Sequence, residues 1–351
     1  MLVDRKGDFA SYAAEASWRA TGNAELDRRR SELRQRLDVV VYTPGKSVGR
    51  PLMLKLLPPD IGELSEEDRR EATRSAADAL ADMIGLKSGA RDGQRREVLA
   101  QAVAQSAEAG GDTLDLAGLV ELLHEGAPGL ENLLRYLDPQ ARLRKELAQR
   151  LEALRLGRQE LFAATGEALD IATLLSGRSG TRMAVVSLAF MPEVADQQFF
   201  VSRLLAEARR HCRRSPSSTL QGVLVLDEAD LYMPAQSNPA TKAPLLDLLR
   251  RARSGGIGII LGTQSPADID YKGRDNIATW VLGRLQTRTA IDKVSFAAEG
   301  STFDLNALLP SFTTGRFLVR SENVHALIQG HRSLVETRQL GQDEILAVCR
   351  P

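Results

Sequence analysis

A chain of 351 residues in which 46 basic side chains balance 46 acidic ones has no global charge to draw it to nucleic acid, so any such contact must come from a local patch. Aromatic residues at 5% argue against base-stacking platforms, and two cysteines without CxxC spacing argue against a disulfide framework or a structural zinc site. No apolar run approaches a membrane span and the charged start MLVDRKGDFA is not a signal peptide, so a cytoplasmic protein is expected.

The chain opens on the apolar triplet Met1–Val3 and runs straight into Asp4-Arg5-Lys6-Gly7-Asp8, the pattern of a buried strand ending in a turn. A charged helix is expected over 24–37, followed by a β-branched strand, Val39–Tyr42, closed by Thr43-Pro44-Gly45. From about 58 to 164 the period is helical almost throughout. Ser65 and Asp68 form a capping pair ahead of Ala72, Ala76, Ala77 and Leu80, and further helices are expected over 98–107, 116–123 and 133–137. Leu143, Leu147, Leu151 and Leu154 then repeat at three- and four-residue spacing, as core positions of a long helix do. After Ala164, strands are expected at 183–188, 222–226 and 257–261, helices at 194–214 and 245–253, and shorter strands at 278–282, 316–320 and 324–328. Continuous apolar strands alternating with amphipathic helices predict an α/β fold whose parallel sheet carries helices on both faces, interrupted by an all-helical insertion.

Two segments carry chemistry. Val223-Leu224-Val225-Leu226 buries a strand and ends in Asp227-Glu228-Ala229-Asp230, placing carboxylates where open α/β sheets bind ligands. In a nucleotide hydrolase, Asp227 would hold a magnesium ion through water and Glu228 would orient the attacking water. An acidic turn after an ordinary strand is the bland alternative. Further on, Ile257–Leu261 ends in Gly262-Thr263-Gln264-Ser265-Pro266, which sets polar groups beside the carboxylates if the two strands are neighbours. The interval between them holds one crossover helix, as a right-handed βαβ unit requires. The four histidines, His124, His211, His325 and His331, share no ligand spacing and read as structural.

The acidic motif, the stretch RARSGGIGIILGTQSPADI and the stretch NIATWVLGRL together resemble the HerA-type branch of the FtsK–HerA motor ATPases, whose relatives include the secretion ATPases of conjugation. LVDRKGD, PGKSVGRPLML and ALDIATLL resemble further elements of that family. The resemblance implies a RecA-like core in two parts, 1–58 and 165–335, a helical insertion over 59–164 and a tail over 336–351. It also implies ATP hydrolysis with Mg2+, movement along double-stranded DNA by a homo-oligomeric ring, a hexamer, and a nuclease or other effector as a further partner. By the same resemblance Asp227, Thr263 and Arg284 hold the nucleotide and its metal, and Glu228 and Gln264 serve catalysis. Arg253, with Arg250 second, would complete a neighbouring subunit's site.

One departure stands out. A phosphate loop needs GxxxxGK[ST], and the only Gly-Lys-Ser, Gly45-Lys46-Ser47, has Val40 where the first glycine belongs. The family order puts this loop before Asp4, so the chain is expected to begin after it and to be inactive alone. A scaffold or interaction protein that has lost its phosphate loop, or a motor of conjugation or secretion, are the rival readings.

Overall fold

The computed structural model describes residues 1–87, 89–108, 115–163, 165–177, 180–299 and 303–349. The first part holds β1 (Leu2–Asp4), α1 (Ala24–Arg36), β2 (Leu37–Tyr42) and β3 (Leu52–Met53). Six helices follow: α2 (Glu66–Met83), α3 (Ala90–Glu108), α4 (Leu116–Glu125), α5 (Pro128–Leu134), α6 (Arg142–Gly157) and α7 (Gln159–Phe162). The chain then returns through β4 (Glu167–Ala168), α8 (Ile171–Leu175), β5 (Thr181–Ser187), α9 (Val194–Arg214), β6 (Ser217–Leu226), α10 (Lys242–Arg251) and β7 (Gly255–Leu261). It ends with α11 (Tyr271–Arg274), β8 (Trp280–Leu282), α12 (Arg288–Lys293), α13 (Leu305–Leu308), β9 (Arg316–Ser321), β10 (Val324–Gln329) and α14 (Gln342–Val348).

The central sheet has the order β2-β5-β1-β6-β7, and every neighbouring pair is parallel. β1 is three residues long yet sits between two partners, Leu2 pairing with both Val185 and Val225. One face of the sheet packs Val3, Leu224 and Leu226 into the main core with Phe199, Phe200, Leu204, Leu245 and Leu248 of α9 and α10. The other face packs Val41 and Val185 under Ala10, Leu340, Ile345 and Cys349, so the C-terminal segment that reads as a tail places α14 on the sheet. Towards β7 this second face is bare: Ile260 is 55% exposed, and Val223 and Val225, in register with Gly258 and Ile260, are only partly covered.

The six-helix block grows from a narrow neck. β3 and β4 pair in parallel, Leu52 with Glu167 and Met53 with Ala168, so the chain leaves and returns side by side. Ser65 caps α2 as its spacing predicts, its hydroxyl accepting from the Asp68 amide at 3.1 Å. The block is tied to the core by Arg203 of α9, which donates to the Ser75 hydroxyl at 2.6 Å and the Leu56 carbonyl at 3.3 Å. Burial pulls the Arg203 guanidinium down to about 10.

The last three strands depart from the expected continuation of the parallel sheet. They form a separate antiparallel sheet, order β10-β9-β8, over a small core of Trp280, Leu282, Ile291, Leu309, Phe312 and Leu318. The reason is local: only Glu322 and Asn323 separate β9 from β10, and a two-residue link can make a hairpin but not a parallel crossover. β6 also begins five residues before the apolar run, at Ser217, because pairing with Gly255 extends it beyond the hydrophobic signal.

Candidate nucleotide site at the strand ends

β6 and β7 run in register from Gly222 with Ile257 to Leu226 with Leu261, so both strands stop together. Asp227 and Glu228 therefore emerge beside Gly262, Thr263 and Gln264. The ladder continues one step past the strands, with Gly262 donating to the Leu226 carbonyl at 2.9 Å and Ala229 to the Gly262 carbonyl at 2.8 Å. The approach is close: a Cβ on Gly262 would lie 3.1 Å from the Asp227 Oδ1, so that side chain would have to shift by a few tenths of an ångström. The Thr263 hydroxyl donates to Asp230 Oδ1 at 2.7 Å, which fixes the turn after β7 against the acidic turn after β6. Gln264 is exposed.

Glu228 has a left-handed backbone, φ 52°, and among the described residues only Ala141 shares a positive φ without being glycine. Such strain costs about 1 kcal/mol or more and survives where the surroundings impose it. Here it directs the carboxylate onto the turn after β1. Asp4, 2% exposed, accepts from the Gly7 and Ala10 amides, each at 2.8 Å. Gly7 has φ 92°, and a Cβ would sit 2.6 Å from the Leu340 carbonyl oxygen, so no other residue closes this turn without displacing the chain. The turn projects two cations onto one carboxylate: Lys6 Nζ lies 2.5 Å from Glu228 Oε1, and Arg5 pairs with Oε2. Arg5 Nε also donates to Gln197 Oε1 at 3.1 Å, and Gln197 is itself held by the Met191 carbonyl at 2.7 Å.

Burial pushes the Glu228 carboxyl upward, but hydrogen bonds and charge from Lys6 and Arg5 outweigh it and hold the group below the ordinary carboxylate range. Glu228 in turn raises the Lys6 ammonium. Asp4 is pushed upward by burial, with the Ala10 and Gly7 amides working against the shift. Burial also drives the neighbouring Tyr232 phenol upward.

Among the described residues no group of three or more His, Cys, Asp or Glu is placed to hold a metal ion. Magnesium fits this donor set, because it keeps several waters and takes one or two carboxylates, with phosphate oxygens supplying the rest. Asp227, whose Oδ1 accepts from the Glu228 amide at 3.0 Å, is the carboxylate at the end of β6 that would take this place.

The remaining sequence candidates lie elsewhere. Arg253 is exposed in the turn Ala252–Ser254 before β7, at the opposite end of that strand from Gln264. A seven-residue strand spans roughly 23 Å, so Arg253 cannot reach its own subunit's site. Arg250 is exposed in the last turn of α10. Arg284 follows β8 in the second sheet and is exposed, and no strand pairing brings it to the carboxylates. Lys46 lies 3.4 Å from Glu160, whose other oxygen accepts from the Ser47 amide at 2.8 Å, so this loop is tied to α7 and makes no phosphate cradle.

The turn 4–8 is expected near the carboxylates and the structure places it there, while Arg5, Lys6, Gln197 and Asp230 join the site without individual roles having been assigned to them from the sequence. The Asp-x-x-Gly spacing signals the turn, but only the placement of β1 beside β6 shows what it faces.

In sequence the loop 235–243, including Lys242, is a candidate for facing a pore, and the structure takes Lys242 out of that role. Lys242 is buried, donates to the Pro234 and Ser237 carbonyls at 2.7 and 3.0 Å, and pairs with Asp270 at 2.8 Å. Burial pushes the Asp270 carboxyl up, yet its bonds to Lys242 and the Lys272 amide hold it below the usual range. Lys242→Met is expected to cost about 3 kcal/mol near neutral pH, because it strands a buried carboxylate. A carboxyl with a lowered folded pKa lends stability above its unfolded value of about 3.9 and loses it as pH falls through the folded value. The gap in Tm between wild type and Lys242→Met should therefore shrink as pH falls below about 4, and a gap independent of pH would discount the pair.

No family model and no curated protein sequence matches the chain. Its architecture is shared with solved structures at low identity. VirB4 of Thermoanaerobacter pseudethanolicus is 14% identical, with a TM-score of 0.58 over 95% of this chain and 89% of that one. The bacterial conjugative coupling protein TrwBdeltaN70 is 11% identical, with a TM-score of 0.53 over 96% and 85%. The plasmid coupling protein TrwB in complex with ADP and Mg2+ is 12% identical, with a TM-score of 0.52 over 96% and 85%. The fold is therefore that of the RecA-like ATPases. Among the described residues, no helix is long and apolar enough to cross a membrane.

Proposed function

We propose that this chain is the larger part of a nucleotide-hydrolysing motor that moves double-stranded DNA, working as a homo-oligomeric ring of six. The observation that carries the reading is the meeting of Asp227 and Glu228 with Thr263 and Gln264 at adjacent strand ends. Magnesium bound with ATP would draw charge from the phosphates as it develops. Asp227 would hold that ion through water, Glu228 would orient the attacking water, Gln264 and Thr263 would meet the terminal phosphate, and Arg253 would act on a neighbouring subunit. Arg284 remains a candidate phosphate contact and a nuclease a candidate partner. The likeness to a conjugative coupling protein supports a second reading, a motor for conjugative DNA transfer.

The reading requires a phosphate loop, and residues 1–351 contain no GxxxxGK[ST]. The unpaired edge of β7 and the bare patch around Ile260 support placing the missing strand, loop and helix there, beside Asp227. On this division, 1–58 and 165–335 form the core, 59–164 the insertion, and 336–351 a C-terminal segment whose Leu340, Ile345 and Cys349 pack on the sheet. Residues 1–351 alone, with Mg2+ and duplex DNA, should turn ATP over well below the roughly 1 per second of ordinary enzymes. A fusion supplying a strand–phosphate-loop–helix unit at Met1 should raise that rate, and Asp227→Asn should abolish the gain. Robust turnover by 1–351 that Lys46→Ala removes would sink this account.

A further inference from the structure

We propose that Arg5 and Lys6 form an exchangeable clamp, holding Glu228 until the terminal phosphate of a nucleotide takes its place and releases the carboxylate to orient water. This rests on the nucleotide reading of the strand-end site and adds to it a pair of positioning residues on a turn that the site assignment leaves unused. Both cations converge on one carboxylate, one on each oxygen, so the charge with which Glu228 would polarise a water is already neutralised by two ion pairs. A clamped Glu228 is a resting state.

The clamp is also built to let go. Arg5 and Lys6 are 33% and 37% exposed, while Glu228 is 16% exposed, so the cations can be reached from solvent although the carboxylate is largely covered. Arg5 is aimed by Gln197, and the turn itself is locked by Asp4 and Gly7, so both cations stay in place whichever anion they hold. Phosphate oxygens and a carboxylate compete for the same donors, and a polyphosphate brings more charge. Among the described residues the other charged or titratable groups around the clamp are Asp4, Asp8, Asp227, Asp230 and Tyr232, and none of them is a third cation.

The test is calorimetric titration of purified 1–351 with sodium tripolyphosphate, without magnesium. Glu228→Gln vacates the clamp and should tighten binding about tenfold or more, while lowering Tm because the ion pairs are gone. A purely structural role for Glu228 would lower Tm without tightening binding. In the Glu228→Gln background, Lys6→Ala or Arg5→Ala should remove the gain and Lys6→Arg should keep most of it. Asp8→Asn makes the same change in net charge near Lys6 outside the clamp and should shift affinity less than twofold. Equal effects of Glu228→Gln and Asp8→Asn, a gain that survives loss of both cations, or no binding by any variant would each overturn the clamp. The turnover experiment with a supplied phosphate loop judges the nucleotide reading separately, since it depends on Asp227 and not on this exchange.

Discussion

Glu228→Gln, in a form of the protein supplied with a phosphate loop, is expected to slow ATP hydrolysis a hundredfold or more while leaving nucleotide binding intact or tighter. The loss follows from chemistry: the amide keeps the size of the side chain but cannot accept or polarise the proton of an attacking water, and positioned bases contribute roughly 10²–10⁴ in rate. The retained binding follows from the geometry of the site. Glu228 is tied to Arg5 and Lys6, and neutralising it leaves two cations free to meet phosphate. Steady-state turnover measured beside nucleotide affinity separates the two effects. A variant that loses binding and turnover together would mean that Glu228 holds the fold of the site and not the water.

Arg253→Ala is expected to depress turnover about a thousandfold, the scale of an arginine that stabilises charge on the transferred phosphoryl group. The loss would occur at a site in another subunit. Within its own chain Arg253 stands at the far end of β7 from Gln264, so any role in hydrolysis would have to be played at another subunit's site. Mixed rings test it directly. An interface between an Arg253→Ala subunit supplying Glu228 and a Glu228→Gln subunit supplying Arg253 is complete, so mixing two inactive proteins should restore part of the activity. Rings that assemble but recover nothing would exclude Arg253 and pass the role to Arg250.

The sequence by itself determined a good deal, because its signals are local. Burial of four consecutive apolar residues is enough to make a strand of 223–226, and its length sets Asp227 and Glu228 at the end. The helical period through 143–154 places Leu143, Leu147 and Leu151 inside, and the spacing of Ser65 and Asp68 starts α2. Gly7 and Asp4 announce a turn because left-handed backbone and amide-accepting carboxylates are local needs. What the tertiary structure decided is which strand lies beside which. Three-residue β1 carries no mark saying that it belongs between β5 and β6, yet that placement delivers Arg5 and Lys6 to Glu228. The same limit applies to the short strands near the C-terminus, whose residues show extended backbone but not the antiparallel partners that separate them from the main sheet. Lys242 is the clearest instance: a lysine in a polar loop is a candidate for facing a pore until Asp270 and two carbonyls, brought in by the packing of that loop, surround its ammonium. Pairing between distant segments is set by loop closure and by the shared burial of many side chains, so no window of the chain contains it.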